Sequence, residues 1–497
     1  MKKLKFVLNS DISGGLGLSI KLKQLNMNDY IVLERRESVG GVWHDNKYPG
    51  CACDVPSNLY SFSFEPYSKW NHTFARQHEI RKYLEYLTDK HNLRPKIQFN
   101  AKVTEAQWLD DQNQWKVTID NGRHFYSRFL VSAHGSLSDA HIPRDINGID
   151  QFKGNMFHSA EWDMTYDLKG KRVAVIGTAS SALQLVPVIQ KEVKQLYVFQ
   201  RTPQWIIPVA DRKIIDFEKK LYERLPLIQQ VIRAIIFWMR ETTVLSFAYQ
   251  WPNKMLSEHL VKYFLSKQVK DPELRKKLTP KWELGCKRVL FSSDWYSALQ
   301  ESNLKLVTDS IKQINEHSIL TTNGDNYDLD TIIWSTGFKV RECPIHIRGL
   351  GDISINEQWK HSKQAYKCIT VLNFPNLFFL VGPNTGVVHN SVIWMIESQI
   401  TYILETIEYM KQNHFNKFLV KQQAFQQYND YLQVQLKKSV WQLSSKSQSR
   451  DTISPNTRTW PGFAWSYRFM TRRFDHENYD LFYNKDQIGT LKHKKCI

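Results

Sequence analysis

The chain has 497 residues, 42% of them hydrophobic and 23% charged, which excludes a long disordered polymer and leaves room for two to four domains. Lys and Arg number 67 against 49 Asp and Glu, a formal charge of +18. Residues 411–497 hold 15 Lys and Arg against 6 Asp and Glu, half of that excess, scattered without a basic run. A solvated basic face is the expectation, with no nucleic-acid partner. The six cysteines are irregularly spaced, which describes a reducing, cytoplasmic setting rather than a disulfide framework. Cys51 and Cys53 have no second pair at zinc-site spacing, so they read as structural and no metal is expected.

The N-terminal run MKKLKFVLNSD is too short in apolar residues for a signal peptide. Lys5–Leu8 then reads as a strand, followed by a glycine-containing turn, a helix and a second strand at Tyr30–Glu34. Strand-like patterns recur at Lys102–Asp110, Gln114–Ile119 and Phe129–Ser132. A second strand–turn–helix–strand unit runs from Lys171–Gly177 to Gln200. Each unit is about thirty residues, the length of one dinucleotide-binding half. Asp211–Leu278 differs, being helical in pattern and poor in glycine. Within it, Ile228–Ala248 is apolar but interrupted by Arg233, Arg240 and Glu241, so stable membrane insertion is not expected. Strands resume at Lys305–Val307, Thr331–Trp334 and Asn376–Val381, and a long helix follows around Ser391–Met410. The expected fold is α/β, with two Rossmann-like dinucleotide-binding domains and a helical insertion.

The second unit carries the cleaner motif. Gly177-Thr178-Ala179-Ser180-Ser181-Ala182 matches G-x-G-x-x-A with Ala at the middle position. Its turn directs backbone N–H groups at a pyrophosphate. The next strand ends in Arg201-Thr202, where an acid would select NAD, so a 2′-phosphate and hence NADPH is favoured. In the first unit the three glycine positions fall on Ser10, Ile12 and Gly15, so two are missing. Glu34 nevertheless ends the second strand, where a ribose-binding acid belongs.

More specific stretches follow. Gly40-Gly41-Val42-Trp43 and Tyr48–Ser57 form a glycine- and aromatic-rich loop with one carboxylate, Asp54. Phe152–Asp163 reads F-x-G-x-x-x-H-x-x-x-W-D, just before the second Rossmann strand. Gly285-Cys286-Lys287-Arg288, Ser335-Thr336-Gly337-Phe338, Gly382-Pro383-Asn384-Thr385 and Trp460-Pro461-Gly462-Phe463 follow in order. In these residues the chain resembles the class B flavoprotein monooxygenases, more narrowly the Baeyer–Villiger type, whose fingerprint ends in W-P or W-D.

The resemblance implies an FAD domain split between residues 1–145 and 325–497. It implies an NADPH domain at 146–324, with the helical insertion at about 211–280. FAD would meet Gly15, Glu34, Gly41, Val42, Trp43, Asp54, Val55, Tyr60 and Asn384. NADPH would meet Gly177, Thr178, Ser180, Ser181, Arg201, Thr202 and Lys287. Arg288 would hold the C4a-peroxyflavin anionic and stabilise its ketone adduct, and Asp54 would position Arg288. His158 reads as a hinge or domain-coupling residue rather than a proton-transfer group. The implied activity consumes O2 and NADPH and converts a ketone to an ester or lactone. N- or S-oxygenation of amines or sulfides is the alternative, as is a member with impaired FAD binding. Ser10, Ile12 and Ala179 depart from the family pattern, as does SSKSQSRDTISPN after Trp441. A flavin disulfide reductase would need C-x4-C, which Cys51 and Cys53 do not provide.

Overall fold

The run LKFVLNS places Phe6, Val7 and Leu8 in succession, and all three are buried, the pattern of a strand covered on both faces. In the computed structural model, this strand, Leu4–Ser10, lies parallel to Tyr30–Leu33 on one side and to His124–Ala133 on the other. Described residues are 4–10, 13–135, 137–248, 253–339, 342–441 and 455–483. Ile12 and the stretch 442–454 therefore lie outside the described residues.

The first sheet has eight strands. Its order runs from His346–Arg348 through the antiparallel meander Val103–Leu109, Gln114–Ile119 and His124–Ala133. It then continues through Leu4–Ser10 and Tyr30–Leu33 to Ile97–Gln98. Leu377–Phe379 also pairs with His124–Ala133. The helix Ser13–Gln24 covers one face and is packed in turn by the long helix Val392–Gln412. Residues from both ends of the chain thus build one domain.

The second sheet is wholly parallel, in the order Leu304–Val307, Gln195–Phe199, Arg172–Ile176, Thr331–Trp334, Asn155–His158. Thr331–Trp334 was expected in the first domain, beyond a boundary at 324. It pairs instead with Val173 on one side and Asn155 on the other, so the second sheet runs on to Trp334. The run TIIW is buried throughout, and such a run identifies a central strand without saying of which sheet. A three-stranded antiparallel sheet, Ile311–Asn315, Ser318–Thr321 and Asn326–Asp328, precedes it and was not foreseen.

Five helices among the described residues between Asp216 and Leu278 leave the second domain after the short strand Ile206–Ile207 and return before Leu290–Phe291. Those two strands pair with each other, so the helical segment is an excursion from neighbouring points of one framework. The two linkers joining the domains also touch. Ala140 bridges Phe338, and the His141 amide donates to Gly337 at 2.9 Å.

Candidate active site

The loop that follows Gly40 and Gly41 decides how the two domains meet. At Gly50, φ is +82°, and a Cβ there would stand 2.4 Å from the Gln184 carbonyl oxygen of the second domain. Only glycine allows that approach. The Gln184 side chain completes a clamp, accepting from Tyr48 Oη at 2.9 Å and donating to the Ala52 carbonyl at 2.9 Å. Replacing Gly50 by Val is expected to cost about 2–5 kcal/mol through backbone strain and overpacking, read as a lowered urea midpoint. Burial pushes the Cys51 thiol up to about 12 and raises Cys53 as well, so both stay protonated, packed thiols. No cluster of metal-ligating side chains occurs among the described residues.

Four residues past Gly50, Asp54 reaches across the domain boundary. Arg288 Nη2 stands 2.6 Å from Asp54 Oδ2 and 2.7 Å from Oδ1. Arg288 keeps 51% of its side-chain surface open, so the pair is worth little as a stabilising ion pair. Its value is positional: the carboxylate aims a half-exposed guanidinium at the space between the domains. From the helical insertion, Arg240 donates to the Asp54 carbonyl at 3.3 Å and to the His389 carbonyl at 3.1 Å. Arg240 was not singled out from the sequence, where it read only as a charge interrupting an apolar run.

On the first-domain side, Gly41 (φ +52°) starts the short helix Val42–Asp45. Trp43 donates from Nε1 to Tyr60 Oη at 3.0 Å, and the two rings meet edge to face. Burial raises the Tyr60 hydroxyl above the ordinary phenol range, keeping it protonated. Val55 is buried in the same core. Glu34, just past its strand, is buried and accepts from the Arg36 amide at 3.0 Å. Gly15 is buried in the first helix, whose Ser19 hydroxyl donates to its carbonyl.

Above the carboxyl edge of this sheet runs a cavity of about 240 Å³, lined by His134, Ser138, Val381, Gly382, Pro383 and Arg458. A smaller one, about 60 Å³, shares His134 and Ser138 and reaches Asn9 and Arg35. These adjoining cavities form a trench beside the carboxyl ends of Leu4–Ser10 and His124–Ala133, the place where open α/β sheets bind ligands. His134 and Arg35 were missed in the sequence; Arg35 directly follows Glu34, which was its only signal. The Asn384 amide is turned away to the Asn456 and Thr459 carbonyls, at 2.9 and 3.0 Å.

The second dinucleotide turn has its own close approach. Gly177 has φ +113°, and a Cβ there would meet the Ser335 carbonyl at 2.5 Å. The helix Ser180–Ile189 then begins, with Ser180 and Ser181 in its first turn. Thr178 is buried and donates to the Thr202 carbonyl at 3.3 Å. Lys287 lies 4.2 Å from the Trp282 ring, and burial together with the neighbouring Arg201 charge lowers its pKa. Two neighbouring cations of this kind can share one anion.

The fingerprint segment is structural at its centre. His158 ends the edge strand of the second sheet, buried, with its ring 5.8 Å from Phe338 of a domain linker. Its Nδ1 accepts from the Ala160 amide, and burial lowers its pKa to about 4. Burial and the nearby charges of Lys363 and Arg35 lower His134 to about 4 as well. Both imidazoles stay neutral in the fold while an unfolded chain takes up protons below about 6.5. Their contribution to stability is thus complete above pH 6.5 and drains away as pH falls from 6.5 to 4. Melting temperatures followed across that window should fall, and His158→Gln should flatten the fall.

Two nucleotide-binding domains in one chain, with an arginine held by a carboxylate between them, define a two-Rossmann-domain redox enzyme. The chain matches the family described as flavin-binding monooxygenase-like over residues 6–346 and belongs to it. It is 42% identical over 472 residues to a Baeyer-Villiger monooxygenase of Pseudomonas aeruginosa, covering 94% of this chain and 89% of that one. A Baeyer-Villiger monooxygenase of Streptomyces coelicolor is 40% identical, covering 94% and 91%. Among solved structures, OTEMO in complex with FAD and NADP superposes with a TM-score of 0.85 at 28% identity, covering 96% of this chain and 99% of that one. Cyclohexanone monooxygenase from Rhodococcus sp. Phi1 bound to NADP+ gives 0.85 at 25% identity, covering 97% and 100%.

Proposed function

We propose that this chain is a Baeyer–Villiger monooxygenase that holds FAD and NADPH and converts a ketone and O2 to an ester or lactone. The observation that carries the reading is the Arg288–Asp54 contact, which sets a positioned, half-exposed cation between the two nucleotide domains. The residues present suit the cofactors. The trench, the buried Glu34 beyond its strand and the Trp43–Tyr60 wall fit a flavin nucleotide. The Gly177 turn with Arg201 and Lys287 fits a phosphorylated nicotinamide nucleotide.

When bound, these groups supply the reducing equivalents and the activated oxygen. Everything else falls to the chain. Arg201 and Lys287 would hold the 2′-phosphate, and the amino end of the helix Ser180–Ile189 would hold the pyrophosphate. Trp43 and Tyr60 wall the ring side against water. Arg288 sets positive charge where negative charge gathers on the substrate carbonyl oxygen, and Asp54 keeps it from swinging away. His158, held as the neutral imidazole, couples the linkers and shuttles no proton. The five described cysteines are buried free thiols, which supports a cytoplasmic setting.

The test is purified protein loaded with FAD, given NADPH and a panel of cyclic ketones and aryl sulfides. Lactone or ester formation with ketone-stimulated NADPH oxidation is expected. Sulfoxides alone would favour the N/S-oxygenating alternative, and a colourless protein that never retains FAD would refute both.

A further inference from the structure

The helix Pro226–Glu241 is inside out. Gln229, Arg233 and Glu241 are buried with Phe237, while Gln230 is exposed and Arg240 half-buried. Gln229 donates to Asn58 and to the Tyr67 carbonyl, and Arg233 to the Asn58 and Ser61 carbonyls. Glu241 accepts from Asn390 and from the Ala464 amide. Leu227, Val231, Ile235, Trp238 and Met239 point the other way, with Leu227 70% and Met239 67% exposed. That spacing is one continuous stripe on a helix. Nearly half of the exposed large apolar side chains among the described residues fall between Ile215 and Phe264.

A second helix, Ala464–Thr471, exposes Trp465 and Phe469. The two helices meet at Trp394. Phe237 stacks on its ring at 4.1 Å, and its Nε1 donates to the Ala464 carbonyl at 3.0 Å. Arg233 and Arg468 also share Glu397 beneath, at 3.8 and 3.6 Å.

We propose that this two-helix face is a docking surface for an anionic lipid bilayer, on which the enzyme rests peripherally. Charge selects the occupant. Between Pro226 and Met239 the one ionisable side chain is Arg233, which faces inward. The rim holds exposed Lys220 and Arg224 at one end, with Glu223 between them. Exposed Arg472 and Arg473 flank the second helix, which has no carboxylate, and Arg472 lies 3.9 Å over the Phe469 ring. A second copy would bring another basic rim and another +18 against the first, whereas anionic headgroups are attracted to it. An apolar stripe with Trp, framed by Arg and Lys, is how a helix lies in the plane of a membrane interface. No helix among the described residues is long and apolar enough to cross a membrane, so the contact is superficial. It would set the Arg240 end of the helix, and with it Asp54, near the lipid surface.

The experiment uses full-length FAD-loaded enzyme sedimented with vesicles of phosphatidylcholine, or of phosphatidylcholine with about one quarter phosphatidylglycerol. Expected is binding to the phosphatidylglycerol vesicles that weakens at about 0.5 M salt. Val231→Ser/Ile235→Ser/Trp238→Ser and, separately, Lys220→Glu/Arg472→Glu/Arg473→Glu should each cut the bound fraction about tenfold. Both variants should keep wild-type NADPH oxidation with ketone in buffer, showing that they fold. Equal binding to both vesicle types would overturn the proposal. So would a wild-type dimer that the apolar triple variant converts to monomer, which would make the face a self-contact.

Discussion

Arg288→Ala is expected to lower ketone oxygenation about 10²–10³-fold, the size of effect found when one preorganised donor to a developing oxyanion is removed. Bleaching of the bound flavin by NADPH should continue at close to the wild-type rate, because Arg288 neither pairs with Arg201 nor supports the Gly177 turn. Asp54→Asn keeps a neutral acceptor for the guanidinium but removes the charge that aims it. It should therefore fall between wild type and Arg288→Ala. Stopped-flow reduction followed by product analysis separates the two half-reactions. Ketone turnover at wild-type rate in Arg288→Ala would remove the residue from the chemistry.

The double substitution Arg201→Ala/Lys287→Ala is expected to raise the KM for NADPH about 10²-fold. Each proposed contact would be a charge-assisted bond to phosphate worth about 1.5–3 kcal/mol, held to about tenfold because Arg201 is exposed and Lys287 half-buried. The KM for NADH, which lacks the phosphate, should change little, so the ratio of the two carries the result. Lys287→Ala alone should leave a smaller defect that salt deepens, because Arg201 then acts unaided in a screened setting. If NADPH and NADH are affected alike, the two cations serve the fold rather than the 2′-phosphate.

How much of this was legible beforehand differs from one feature to the next. The two βαβ units could be read because continuous apolar runs such as RVAVI and FVL mark buried parallel strands, each followed by a turn into a helix, although the first turn lacks two of its three glycines. Arg201 followed from its place after the second strand. Asp54 and Arg288 were found through resemblance alone; nothing in local pattern joins residues so far apart in sequence. Arg240 and Gln184 were not found at all. One interrupts an apolar helix and the other sits mid-helix, and each matters only because a loop from the other domain arrives beside it.

The same split explains the errors and the surprises. The boundary at 324 failed because a buried strand does not announce its sheet; pairing between Val173 and Asn155 made Thr331–Trp334 part of the second. The sequence by itself determined the local chemistry: where strands turn, which residue follows each turn, and which loops need glycine. Tertiary structure alone decided which chemical groups converge between the domains and which face of Pro226–Glu241 is turned outward. Local rules act over a few residues. Convergence and burial depend on contacts hundreds of residues apart, and the inverted helix could be read only once its polar face was seen to be satisfied from within.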